Sequence, residues 1–280
     1  MFNLLNPRRF YYAVGKKKFW EFIILALFLL FFYGPILNLV MLAFANKYEV
    51  PAVIPQEFGF RWWQFVFSQR NLVSSISLSL VFAVVTTLLS MLICIPAAYA
   101  IARFKFPGRR FFMLSFLLTN AFPKIGLYTS IGIIFYRFHL INTFLGVVII
   151  HMINTMLFMV WLPAGAFGNV HRQQEEAARD VGAGPFRTFI KVTLPLAMPG
   201  IAVASVYTFL GSMEEMPGTF LVGVPAFRTM PIQMYNVITE YAIMAGAVFS
   251  MILMIPTVIL LILMRRYIGP SAIAGGFKLK

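Results

Sequence analysis

Two adjacent carboxylates, Glu214 and Glu215, and one amine, Lys124, are set in strongly apolar text, where each can do chemistry that water would quench. A charge in such surroundings is costly and is retained where it faces a cavity, a counter-charge or a partner. The carboxylates can hold a cation, accept hydrogen bonds from hydroxyl groups, pair with Lys124, or meet a partner near an outer surface. Catalytic and metal chemistry find no support. His139, His151 and His171 have no second histidine four residues on, and the single cysteine, Cys94, has no companion for a metal site or an intrachain disulfide. His151 reads as a packed or hydrogen-bonded residue. No GxSxG elbow and no GxxxxGK[ST] loop occurs, so no catalytic residue is expected and any ATP must be handled by another chain.

The elements that position these groups follow from the hydropathy. The sequence is 60% hydrophobic and 11% charged with a mean hydropathy of +0.84, the signature of a membrane protein. Positions 22–46, 71–102, 138–171, 192–213 and 241–264 hold no Asp, Glu, Lys or Arg. Each exceeds the ~20 residues a helix needs to cross ~30 Å of hydrocarbon. A sixth run, 111–136, is interrupted only by Lys124. The expectation is an all-α membrane protein of six spans, about 20–45, 71–102, 111–136, 140–166, 197–222 and 241–264, forming one domain over 1–280. The runs lack the alternation of a β-barrel. Glu214 and Glu215 then lie roughly 22 Å along span five from Pro199, at ~1.5 Å per residue.

The formal net charge of +14 is explained by topology. Of the 23 basic residues, 17 fall on one side of the six-span arrangement, among them Arg8, Arg9, Lys16, Arg103, Arg109, Arg172, Arg179, Arg265, Arg266, Lys278 and Lys280. The positive-inside rule places that side, and both termini, in the cytoplasm, and no nucleic acid is needed to account for the charge. A bacterial cytoplasmic membrane is the expected location, though composition alone would also allow other membranes. The first apolar run is long enough to stay as a helix, so no cleaved leader is expected.

Local text refines the spans. Trp62, Trp63 and Phe65 follow span one and suit either interfacial anchoring or contact with a partner. Ser74, Ser75, Ser77, Ser79, Thr86, Thr87 and Ser90 give span two the small hydroxyl residues of close helix packing, and Pro96 is expected to bend it. Asn120, Pro123, Lys124 and Gly126 break span three. Either the helix is broken at membrane depth beside a pathway, or it ends near Pro123 and a re-entrant or outer segment follows.

Between spans four and five lies a polar island, 167–191, that carries Glu175, Glu176 and Asp180, three of the nine acidic residues. Its Gln, Glu, Ala and Arg content predicts a helix of about three turns, with Asn169 as N-cap, Gly182 just past the end, and Pro185 preventing continuation. Arg172 with Glu176 and Glu175 with Arg179 are spaced as i,i+4 pairs, each worth roughly 0.2–0.5 kcal/mol. Ala177 and Ala178 offer a small face for close approach. A solvated connector and a docking surface fit this helix equally.

The island resembles the EAA loop of binding-protein-dependent ABC importer permeases: EAA, three residues, Gly, nine residues, Ile, any residue, Leu-Pro. Glu176, Ala177, Ala178, Gly182, Leu194 and Pro195 match in register, and Val192 stands in the isoleucine place. With "PAAYAIARFKFPGRR" at 95–110 and weaker likeness in span one, the resemblance covers nearly the whole chain.

The resemblance implies a type I permease fold and coupling to an ATP-binding subunit through Glu175, Glu176, Ala177, Ala178, Asp180 and Gly182. It also implies a second permease chain, two ATP-binding subunits that hold ATP and Mg, and an external solute-binding protein, with no cofactor in this chain. Asn120, Pro123, Lys124, Asn154, Tyr207, Ser212, Glu214 and Glu215 are the expected translocation-path residues. "EEMPG" at 214–218 and "AGGFK" at 274–278 resemble oligosaccharide permeases. Val181 before the glycine, and the Gly-x-Pro and Thr-x-Pro text of 211–236, resemble polyamine permeases. Carbohydrate is the expected solute, polyamine the alternative, and an ATP-independent secondary transporter the reading from a different class.

Overall fold

A computed structural model describes residues 15–264; Arg8, Arg9, Arg265, Arg266, Lys278, Lys280 and the "AGGFK" segment lie outside the described residues. Helix α1 (Lys16–Ala43) leads into a two-stranded antiparallel ribbon, β1 (Ala45–Lys47) with β2 (Glu57–Phe58), and a short helix α2 (Arg61–Ser68). Then come α3 (Arg70–Arg103), α4 (Arg109–Ala121), α5 (Lys124–Arg137), α6 (Phe144–Asn169) and α7 (Arg172–Asp180). A turn of helix α8 (Pro185–Thr188) runs through a π-helical segment (Phe189–Thr193) into α9 (Leu194–Met213). The chain closes with α10 (Pro217–Val222), α11 (Met230–Glu240) and α12 (Ile243–Met264).

Among the described residues, five helical runs are long and apolar enough to cross a membrane: 17–43, 70–103, 144–169, 185–213 and 243–263. The sixth expected span is a pair. α4 and α5 have 13 and 14 residues and meet at a bend of 108°. At ~1.5 Å per residue each is only ~20 Å long, too short to cross alone. Both sequence readings thus hold in part, since α4 stops before Pro123 and a second helix starts at once in a new direction. Proline enforces the corner by excluding the helical conformation from Phe122, which is extended at φ −81°, ψ 148°.

Span five differs from expectation. Instead of running through 197–222, the helix stops at Met213 and restarts at Pro217. Pro217 has no N–H to extend α9 and has the fixed φ that starts α10.

The core is built by α3, α6 and α9, which pack against one another. On α3, Ser75, Ser79, Phe82, Thr86, Ser90, Cys94, Ala98 and Ile101 form one buried stripe. Only these members of the hydroxyl set face the bundle; Ser74 and Ser77 are exposed. Gly200 on α9 packs so close to Ala166 on α6 that a side chain there would collide, the small-residue contact on which membrane helices rely. α1 packs on α12 and leaves most of its apolar surface outward, as a lipid-facing helix does. Trp62 and Trp63 are spent within the chain. The Trp63 indole donates to the Ala43 carbonyl (2.8 Å) and the Trp62 indole to that of Asn46 (3.2 Å), clamping α2 to the end of α1.

Candidate functional site

At the end of α3, the Arg103 guanidinium enters the space beneath α7. Its Nη2 donates to Glu175 Oε1 at 2.8 Å and to the Val170 carbonyl at 3.0 Å. The side chains of Arg103 and Glu175 are only 9% and 8% exposed. Thr193, in the π-helical segment, donates its hydroxyl to the same carboxylate oxygen at 2.8 Å. Three elements, α3, α7 and the start of the α9 run, are therefore tied to one carboxylate. Arg172 adds a bond from its guanidinium to the Arg103 carbonyl, 3.2 Å.

This geometry corrects two expectations. Glu175 turns inward to Arg103 rather than along α7 to Arg179, and Arg172 turns to backbone rather than to Glu176. Asn169 is not the N-cap, because α6 runs through it and His171 takes the boundary position without a side-chain cap bond. The C-terminal expectation holds. Gly182 adopts φ +84°, its N–H reaches the Arg179 carbonyl (2.8 Å), and the Ala183 N–H reaches that of Ala178 (3.0 Å). That pair of bonds closes the helix around a left-handed residue, for which glycine is suited.

The opposite face of α7 is open. Glu176, Ala177, Arg179, Asp180 and Gly182 are exposed and Ala178 is half-buried. Beside them stand two large apolar side chains, Val181 at 85% and Phe186 at 78% exposure. Apolar side chains grouped with charges around a rigid helix are the features of an interaction surface.

A second polar region lies at the α4–α5 corner. The Lys124 ammonium donates to Asn154 Oδ1 (2.9 Å), and Asn154 Nδ2 donates to the Gly211 carbonyl (3.1 Å), joining α5, α6 and α9. One turn away the Tyr207 ring, 42% exposed, stacks on Phe158 with centroids 5.1 Å apart. Glu214 is exposed at the end of α9, and Asn120 and Pro123 are exposed at the corner. Lys124 forms no salt bridge with either glutamate.

Ser212 and Glu215 belong to a different, buried set. Glu215 is 2% exposed, and its oxygens accept from the N–H groups of Gly218 (3.0 Å) and Thr219 (2.9 Å) and from the Thr219 hydroxyl (2.9 Å). It caps α10, the helix that Pro217 starts, and Tyr128 of α5 faces the same carboxylate. His151 bridges this cap to α9: Nε2 lies 2.8 Å from Thr219 Oγ1 and Nδ1 lies 2.7 Å from Ser212 Oγ. Among the described residues no three His, Cys, Asp or Glu side chains converge as metal ligands would.

Residues 93–273, which include α7 and the helices it joins, match the family model described as the inner membrane component of binding-protein-dependent transport systems. The chain belongs to this family. This ABC importer permease is 27% identical over 256 residues to the diacetylchitobiose uptake system permease protein of Streptomyces coelicolor, covering 87% of this chain and 83% of that one. It is 26% identical over 234 residues to the trehalose transport system permease protein of Mycobacterium tuberculosis, covering 81% and 84%. Its fold matches that of a chain in the crystal structure of a bacterial ABC transporter that imports the acidic polysaccharide alginate. That match has a TM-score of 0.66 at 19% identity and covers 94% of this chain and 98% of that one.

Within this multi-pass permease, sequence reasoning missed Arg103, Thr193 and Thr219. Arg103 carried the one available signal, a charge at the boundary of a long apolar run, yet it counted there only as one of many basic residues.

Proposed function

We propose that this permease receives the work of ATP binding and hydrolysis through α7 and turns it into movement of its membrane helices. The observation that carries the reading is the two-sided character of α7: Glu175 is locked beneath it to Arg103 and Thr193, while Glu176, Ala177, Asp180, Val181 and Phe186 stand free on its outer face. A partner that pushes on that face moves α3 and the α9 run with it. The partner is an ATP-binding subunit that holds ATP and Mg, one of two in the complex; this chain binds no cofactor. Its other partners are a second, homologous permease chain, an external solute-binding protein and the bilayer. The setting is the bacterial cytoplasmic membrane, with α7 and both termini in the cytoplasm.

Lys124, Asn154, Tyr207 and Glu214 line this chain's half of the translocation path, with Asn120 and Pro123 forming the bend that opens it. Ser212 and Glu215 stand behind that face and hold it. A charged ammonium and an exposed carboxylate at these positions are tolerated where they meet water or a polar solute. The solute is a carbohydrate. Support comes from the diacetylchitobiose and trehalose systems named by its relatives, and from the mixed donors, acceptors and aromatic rings of this face.

The test is uptake by the assembled complex in proteoliposomes with its external binding protein, comparing labelled disaccharides with labelled spermidine. ATP-dependent sugar uptake that spermidine does not compete supports the reading. Uptake of spermidine alone makes it a polyamine importer, and uptake by the isolated chain on an ion gradient makes it a secondary transporter.

A further inference from the structure

Two recesses open side by side at the far end of α3 from the Arg103 joint, about 48 Å away for 32 residues of helix. They have volumes of about 280 and 160 Å³ and share Asn71, Arg228 and Gln233 as lining residues. None of the residues assigned above to coupling or to the path lines either one.

Gln233 sits at the junction of the two recesses. It is 8% exposed, and its amide has no hydrogen-bond partner among the described residues; it lines both recesses. The amide opens onto the recesses rather than into the packed core, so its donors and acceptor are free to pair with a ligand that arrives from outside the chain. The same wall holds further groups with unused hydrogen-bonding capacity. Asn71 and Asn236 offer amides, Arg228 and Glu240 line the smaller recess without forming a salt bridge, and Tyr241 closes one side with its ring 5.1 Å from that of Phe65.

The walls are fixed before any ligand comes. Ser79 of α3 accepts from the Met230 N–H at 2.7 Å and pins the start of α11 against α3. A preformed site loses less affinity to ordering on binding.

The chemistry selects the ligand. Four amides, those of Gln69, Asn71, Gln233 and Asn236, supply donors and acceptors alike, and the single cation is matched by a single anion, so neither a polyanion nor a polycation is favoured. Arg228 repels spermidine and Glu240 repels phosphate. The volumes sit at or below the lower end of the ~300–1,000 Å³ of small-molecule sites, too small for a folded peptide element. A ring bearing several hydroxyls, flanked by an aromatic edge, satisfies every group.

We propose that this paired recess is a sugar-binding subsite at the outer mouth of the permease, which takes a sugar unit of the solute as it leaves the binding protein. The inference rests on the carbohydrate reading and adds to it a place of contact on this chain. It also gives Arg228 a use on the side opposite the cytoplasmic majority of basic residues.

The test is saturation-transfer NMR on the full chain in lipid nanodiscs, with trehalose, N,N′-diacetylchitobiose and galactobiose as probes. Saturable transfer to at least one sugar is expected, weakened at least tenfold in Arg228→Ala and in Gln233→Leu. Gln64→Ala, an exposed change outside the recess, retains it. Circular dichroism and gel filtration matching the parent chain establish that the variants fold. Two results overturn the subsite: no transfer to any of the three sugars, or transfer that both variants leave intact. If the sugars give no signal and the variants lose only stimulation of ATPase activity by the external protein, the recess is a protein-docking surface instead. Failure of the carbohydrate reading itself is separate, because it shows as spermidine uptake in the proteoliposome assay whatever the recess binds.

Discussion

Arg103 and Glu175, 72 residues apart in the chain, meet at 2.8 Å under α7 with both side chains almost fully buried. Removing one partner strands the other charge, which costs about 3–5 kcal/mol for a buried pair. Arg103→Ala is therefore expected to lower the thermal stability of the purified chain sharply. Glu175→Gln keeps an acceptor for Thr193 and loses less. The double variant Arg103→Met with Glu175→Met is expected to lie closer to the parent than the sum of the single Met variants. Additive losses in that cycle would show that the two groups act independently.

The outer face of α7 makes the opposite prediction. Glu176 is exposed and carries no bond that holds the fold, so Glu176→Lys is expected to shift stability by no more than about 0.5 kcal/mol. Phe186→Ala behaves likewise. Both are expected to cut co-purification of the ATP-binding subunit at least tenfold. Undiminished capture of that subunit by both variants would remove α7 from the coupling role.

The two faces of α7 differ in how legible they were. The open face was readable because helix propensity, the Gly182 turn and the Leu194–Pro195 register are all local in sequence. The buried face was not, since nothing in the spacing of Glu175 distinguishes a partner at Arg179 from one on another helix. Only the packing of α3 against α6 and α9 brings Arg103 there. The same holds for Glu215. As text it is one of two adjacent carboxylates at membrane depth; in the fold Pro217 ends α9, and the chain's own N–H groups consume Glu215 while Glu214 stays outside. The six apolar runs were legible from hydropathy alone and the corner at Pro123 from proline chemistry. α11 was not, because its text mixes polar and apolar residues and its first turn depends on a bond to Ser79 from far along the chain.

Lys124 and Asn154 test the path. Their bond is solvent-accessible, so Lys124→Met is expected to leave folding and ATPase-subunit binding intact while lowering solute uptake at least tenfold. Asn154→Asp retains an acceptor for Lys124 and loses the donor to the Gly211 carbonyl, and is expected to fall between Lys124→Met and the parent. Parental uptake in Lys124→Met would place the path on another face.

The buried row Ser212, His151, Thr219 and Glu215 permits a sharper prediction, because its hydrogen bonds can be ordered. Glu215 accepts from two backbone N–H groups and from the Thr219 hydroxyl, which fixes it as the acceptor end. The Thr219 hydrogen is thereby used, so Thr219 Oγ1 must accept from His151 Nε2–H across their 2.8 Å. Nδ1 then accepts the Ser212 hydroxyl hydrogen at 2.7 Å, the arrangement in which each hydrogen of the row has a partner. On this ordering His151 is expected to be a neutral imidazole carrying its proton on Nε2. The nitrogen spectrum of the histidine-labelled chain is expected to show one protonated and one unprotonated ring nitrogen for His151, and the Nε2–H assignment is expected to weaken in Thr219→Val. Two protonated nitrogens would reverse the Ser212 bond and break this ordering. If it holds, His151→Phe leaves the Thr219 and Ser212 hydroxyls without their imidazole partner. It should then cost about 1–3 kcal/mol in stability and loosen α10 from α9 without touching α7.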